Sequence, residues 1–199
     1  NLIQQGTVID VLLQSLIVDK TINVNELLIG DKNAIMVAAR ILGYGKEYEF
    51  EYDGIEQSVD LTKLEPIKVD FKNLPKGTNE FSYELPNSKR TITFKLLNGK
   101  DELEIEGEIK AMEKISKVQS STLTTRFKKM ILSVDGNSEK SYINNFVDNE
   151  FLSRDSLSFR QHLVKVTPDM DMKTQIIDST GKETEVTIPV TVRFFWPNT

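Results

Sequence analysis

Residues 47–54 read Glu-Tyr-Glu-Phe-Glu-Tyr-Asp-Gly. Three aromatic residues alternate with three carboxylates, and a two-residue period belongs to a strand with one face on a core and the other in water. Asp53–Gly54 supplies a pair suited to a tight turn, and Gln57 to Leu61 offers Val59 and Leu61 for the return strand. A β-hairpin is expected here. Upstream, Asp31 opens a stretch to about Leu42 in which Ala34, Ile35, Val37, Ala38, Ile41 and Leu42 are small or aliphatic. Apolar residues nearly all round describe a buried helix, stopped by Gly43 and Gly45. Before it, residues 7–19 carry Val8, Val11, Leu12 and Leu16 at helical spacing.

Downstream, Pro66, Pro75 and Pro86 punctuate a loop-rich region with short strands expected at 67–71, 80–85 and 90–97. A helical stretch follows from about Asp101. Residues 120–135 are ambiguous between strand and helix, ending at Asp135–Gly136. Two helices are expected at 138–149 and from a Ser153 cap to about Val164, closed by Pro168. A second hairpin runs from Met172 through the turn at Asp178–Gly181 to Val190, with Thr191 to Phe195 extending the alternation. Pro189 marks an edge or a bulge. A helix thus precedes a hairpin twice. The expectation is an α+β fold of two helix-plus-β-hairpin lobes, 1–65 and 136–199, flanking a middle region of short strands, 66–135.

Composition narrows the chemistry. The 199 residues hold 25 Lys and Arg against 30 Asp and Glu, a net charge of −5, with 39% hydrophobic residues. That is ordinary for a globular chain with a real core and weighs against broad nucleic-acid binding. No run reaches the length of a membrane span. With no Cys and a single His, thiol nucleophiles, thiolate zinc sites and His-rich metal sites are ruled out, and no cofactor is expected. His162 has no nucleophile-elbow serine to serve, and Asp169 and Asp171 lack the Gly and terminal Glu of a calcium loop. Arg126, Lys128 and Lys129 form the densest basic cluster, which reads as a solvated or partner-facing surface.

Two features call for a structural role. Arg40 sits in an otherwise apolar helix, so its guanidinium must reach solvent, pair with a carboxylate or cap carbonyls at the helix end. A fixed ion pair is the expectation, with Asp31, Asp155 and Arg160 as further candidates for such pairing. Phe194-Phe195-Trp196 places three rings in succession. Alternation in a strand cannot aim all three at one core, which makes them candidates for a protein interface or for covering both faces of a sheet.

Taken in order, Asp31, Arg40, Tyr44-Gly45, Tyr48, the first hairpin and Asp60-Leu61 resemble a known family. So do Asp135-Gly136, Asp155, Arg160, Pro168 and the second hairpin leading to Phe194-Phe195-Trp196-Pro197. The chain resembles the baseplate hub assembly proteins of T4-like contractile-tailed bacteriophages, in particular the small hub subunit. The resemblance implies a structural or assembly role in the tail baseplate hub, no catalytic cycle, and partners among other hub or tape-measure proteins. It implies a virion location after assembly in the host cytoplasm, possible oligomers within the baseplate, and a further N-terminal segment ahead of Asn1. An assembly chaperone absent from the particle and a tail-associated hydrolase are the alternatives. Relatives in that family carry Cys-x-x-Cys at each hairpin tip. The matching positions, Tyr52 to Ile55 and Ile177 to Thr180, hold none, so the four-sulfur zinc site is lost and the polar turns Asp53–Gly54 and Thr180–Gly181 hold the tips instead.

Overall fold

The computed structural model describes residues 2–69, 77–115 and 122–196. Its order is α1 (Leu2–Leu16), α2 (Ile29–Tyr44), β1 (Glu47–Tyr52), β2 (Ile55–Asp60), β3 (Phe81–Glu84), β4 (Thr91–Phe94), α3 (Gly99–Ile115), α4 (Thr122–Met130), β5 (Ile131–Val134), α5 (Lys140–Asn145), α6 (Ser153–Val166), β6 (Lys173–Ile177), β7 (Glu183–Thr187) and the short turn α7 (Val192–Phe195). The mixture is α+β, with small antiparallel sheets only: β1-β2, β3-β4-β5 and β6-β7. The expected strand at 67–71 runs partly outside the described residues.

The chain divides differently from the three consecutive segments expected. Residues 1–68 and 168–199 make one unit, and 69–167 make the other. The physical reason is non-local. Where the chain leaves the first unit and where it returns, the two stretches pair: Ile67 N–H donates to Asp169 O (2.7 Å), Asp171 N–H to Glu65 O (2.9 Å), and Pro66 bridges Met170. Asn33 Nδ2 donates to the Asp169 carboxylate at 2.8 Å, fastening this pairing to α2. Gly30 lets the same segment lie against the helix, since a Cβ there would stand 2.0 Å from Pro168 O.

In the first unit, both hairpins share a single core. Val37 of α2, Tyr48 and Phe50 of β1, Leu61, Ile176 and Val186 of the second hairpin, Ile188, Phe194 and Phe195 pack together. The alternation of residues 47–52 is realised, with Tyr48 and Phe50 buried and the glutamates exposed. The chain end corrects an expectation. Residues 192–195 form a helical turn, with Phe194 N–H donating to Thr191 O at 3.0 Å, rather than a continued strand. A turn sets successive side chains about 100° apart instead of on opposite faces. Phe194 and Phe195 can therefore both enter the core, and they are 0% and 3% exposed.

In the second unit the rings of Phe94, Phe127, Phe151 and Phe159 meet edge-on or tilted at 5.0 to 6.4 Å. The stretch that read as ambiguous is helix and then strand, α4 into β5. The helix expected over 138–149 ends at Asn145 and continues as a wider π-helical turn, Phe146–Glu150. Arg90 gathers this corner: it donates to Asp135 (2.7 Å), Glu150 (2.6 Å) and the Tyr142 hydroxyl (2.5 Å), with its guanidinium 4.8 Å from the Phe146 ring centroid.

Candidate interaction surface

The two hairpin turns of the first unit meet. Asp53 and Gly54 take φ of 51° and 76°, the left-handed pair that a two-residue turn requires, and Gly181 takes 81°. Asp178 organises the second turn. Its carboxylate accepts the Thr180 N–H and hydroxyl (2.8 and 2.6 Å), the Lys182 N–H (3.1 Å) and the Thr184 hydroxyl (3.1 Å). The Thr180 hydroxyl leads the interactions that hold this carboxylate at a pKa of about 2. Across the gap, Ser179 Oγ donates to Asp53 Oδ2 at 2.7 Å, and Gln57 Nε2 donates to Ile177 O at 3.1 Å. Of Asp53, Gly54, Thr180 and Gly181, Asp53 takes part in the contact between the two turns.

Three apolar side chains near this joined end are exposed. Tyr52 and Ile55 are directly opposed in the ladder, on the face that buries Tyr48 and Phe50, but they project beyond the core and stand 39% and 37% exposed. Ile177, whose carbonyl receives Gln57, is 58% exposed. The stretches 51–56 and 177–183 hold Glu51, Asp53, Glu56, Asp178 and Glu183 against Lys182, with Glu51 and Glu56 on the opposite face of the first hairpin from Tyr52 and Ile55. Glu51 faces Glu56 across the ladder, and Glu183 faces Ile177. Like charges directly opposed weaken a hairpin. Among the described residues Glu51, Glu56 and Glu183 have no cationic partner, whereas Lys46 at the far end pairs with Asp60 at 2.9 Å and Lys173 with Glu185 at 2.8 Å. The imbalance extends over the whole first unit, which carries nine Lys and Arg against sixteen Asp and Glu, net −7, while the second has sixteen against fourteen, net +2.

The other candidates resolve otherwise. Arg40 is 4% exposed and forms no ion pair among the described residues. Its Nη1 donates to Gly45 O and its Nη2 to Glu47 O, both at 3.1 Å, with the Tyr44 and Tyr48 rings 5.1 and 5.7 Å from the guanidinium carbon. It ties the Gly45 carbonyl, just past the end of α2, to that of Glu47, the first residue of β1, near the negative end of the helix dipole. Asp155 is fully buried but pairs with amides, not with Arg160. It accepts Asn87 N–H and Nδ2 (2.8 Å each) and Ser88 N–H (2.9 Å). Burial works to raise its pKa, and these hydrogen bonds together outweigh it, leaving the carboxyl below the ordinary value. Arg160 and Asp31 are exposed, each on its own helix. Phe194 and Phe195, candidates for an interface or for covering a sheet, fill the core, because the terminal turn removes the alternation that argued for exposing one ring; Trp196 is half-buried against Phe195 at 6.1 Å.

The basic cluster is neutralised. Arg126 reaches Glu102 through two bonds (2.8 and 2.5 Å), Lys128 reaches Asp148 (2.7 Å) and Lys129 pairs with Glu104. His162 is stacked on Tyr83 at 4.3 Å and meets the Phe94 ring edge-on at 5.8 Å. Among the described residues there is no grouping of three or more His, Asp or Glu suited to a metal ion, and no helix long and apolar enough to cross a membrane. The residues that sequence reading passed over are Tyr52, Ile55, Ile177 and the Glu51–Glu56 opposition. The signal for the last was present, since a two-residue turn at Asp53–Gly54 forces residues 51 and 56 into register. No family model matches this chain, and no match is found among the curated proteins or the solved structures.

Proposed function

We propose that this chain is a structural or assembly component of a contractile phage tail baseplate hub, working by presenting surfaces to other hub or tape-measure proteins. The observation that carries the reading is the behaviour of the residues on which the resemblance rests. Arg40, Tyr44, Gly45 and Tyr48 form one capping cluster, and Phe194 from the far end of the chain meets Tyr48 edge-on at 4.8 Å. These residues of the first unit, far apart in the sequence, thus serve one packing cluster. Mass spectrometry of purified tailed particles tests the proposal. A fixed ratio of this chain to the other tail proteins is expected. Its presence during assembly and absence from particles would favour a chaperone, and absence from both would overturn the reading.

A further inference from the structure

We propose that the outward face of α6, in the second unit, is a docking surface for an acidic, apolar helix of a partner protein. The inference rests on the hub reading for its premise that the surface meets another protein, and it adds the partner's chemistry. One line of α6 is buried: Asp155, Phe159 and Val166. At about 100° per residue, Leu157 and Val164 fall on the opposite side of the helix, one above the other and about 10 Å apart. They stand 48% and 71% exposed. Arg160, on the turn between them, flanks this line on one side, and Arg154, Gln161 and Lys165 flank it on the other; all four are exposed. The helix is fixed by its buried line, so little ordering entropy opposes binding.

Charge selects the occupant. Arg90, Lys95, Arg126, Lys128 and Lys129 of this unit each reach a carboxylate. Arg154, Arg160 and Lys165 have no such partner among the described residues, and the single acid of α6, Asp155, is buried against Asn87 and Ser88. A partner helix with aliphatic residues one heptad apart meets Leu157 and Val164 along one seam and sets its Asp or Glu residues against the flanking cations. Nucleic acid would leave both apolar side chains unmatched, and the net charge of −5 opposes it. Two apolar residues on a helix anchored in its domain are too few to enter a lipid surface. The same face of a second copy brings the same cations. The acidic face of a second copy's first hairpin, with Glu47, Glu49 and Glu51 exposed, offers no apolar residue to meet Leu157 and Val164.

The test uses the full chain and three labelled helical peptides: one with Leu at heptad spacing flanked by Glu, one with Ser in place of Leu, one with Lys in place of Glu. The Glu–Leu peptide is expected to bind, with amide shifts centred on 153–165, and to weaken as salt rises. The R154Q/R160Q variant is expected to bind it roughly five- to tenfold more weakly, the scale of two exposed charge contacts, with its melting temperature almost unchanged. L157Q/V164Q is expected to lose roughly tenfold or more. Failure of the Glu–Leu peptide to bind, equal binding of the Ser or Lys peptide, shifts elsewhere, or unchanged affinity in either variant each overturns the proposal. So does tighter binding of a DNA duplex or an anionic vesicle at these residues, or a dimer seen by sedimentation that protects them. None of these outcomes alters the chain's presence or absence in particles, so the two readings fail separately.

Discussion

Ser179 donates its hydroxyl hydrogen to the Asp53 carboxylate at 2.7 Å, tying together two turns that lie 126 residues apart. The bond is exposed, so its share of global stability is small. Its effect is local: it holds two hairpins in one arrangement. Ser179→Ala is expected to leave the melting temperature almost unchanged and to speed amide exchange several-fold at residues 53–55 and 179–181. Exchange measured by NMR or mass spectrometry checks this, and unchanged exchange at both turns would show that the core alone holds them.

Gly30 and Gly107 make a contrasting pair of helical glycines. A methyl at Gly30 would press on backbone, with Pro168 O at 2.0 Å and Asp169 Cα at 2.7 Å, so either α2 or the returning segment must shift. Gly30→Ala is expected to cost about 1–3 kcal/mol. Nothing lies within 4 Å of the corresponding position at Gly107, and Gly107→Ala should stabilise by about 0.5–1 kcal/mol through helix propensity. Urea midpoints of the two variants should therefore move in opposite directions.

Arg40 is held by geometry as much as by charge. Its planar fork spans the Gly45 and Glu47 carbonyls, and its face lies against Tyr44 and Tyr48. Arg40→Met, which keeps the stem and leaves both carbonyls without this donor, is expected to cost about 2–3 kcal/mol. Arg40→Lys keeps the cation but cannot span both acceptors, and is expected to recover only part of that loss. Denaturant unfolding of the two variants checks the order; equal stability of Lys and Arg at this position would reduce the cap to its charge.

Acid acts on the second unit through His162. Burial, and to a lesser degree the Lys165 charge, holds its pKa below the ordinary 6.5. The unfolded chain then takes up the proton first as pH falls, so the unfolded state binds more protons and stability rises with pH. The contribution is fully present above pH 6.5 and is lost progressively below it, through the folded-state value. His162→Phe keeps a ring against Tyr83 and Phe94 and is expected to flatten the pH dependence of unfolding free energy between roughly pH 7.5 and 5. An unchanged slope would assign that dependence to other groups.

The hairpins were legible because alternation and turn chemistry act within a few residues, as Tyr48, Phe50 and Asp53–Gly54 do. Pro66 marked the first division to within a few residues, but the return of 168–199 to the first unit was not legible, because it follows from the pairing of residues 65–67 with 169–171. Arg40 illustrates the middle ground. Its burial could be read from the apolar helix around it, but the choice of carbonyls over a carboxylate depends on how the chain leaves Gly45 at φ 85°. The terminal rings misled because Thr191 and Val192 favour an extended chain, while β7 had already ended at Thr187, ahead of Pro189. The hairpin end escaped notice for a further reason: Tyr52 obeys the same alternation as Tyr48, and only tertiary structure reveals that the core stops short of it.

Asp155 offers the sharpest separation of charge from shape. The carboxylate is fully buried and accepts three hydrogen bonds from Asn87 and Ser88, which fix the connection between β3 and β4. Asp155→Asn preserves volume, but its single acceptor oxygen must serve three donors and its amide hydrogens face the Asn87 and Ser88 N–H groups. A loss of about 2–4 kcal/mol is expected, since a buried donor left unpaired carries its full desolvation penalty. Because hydrogen bonding keeps the native pKa below the ordinary carboxylate value, the stability this group contributes is present above that value and fades as pH falls through the native one. The variant should therefore lose most stability near neutral pH and approach the parent chain in strong acid. Parallel unfolding curves at neutral and acidic pH measure this convergence; a constant gap would mean that the substitution acts by packing and not through the charge.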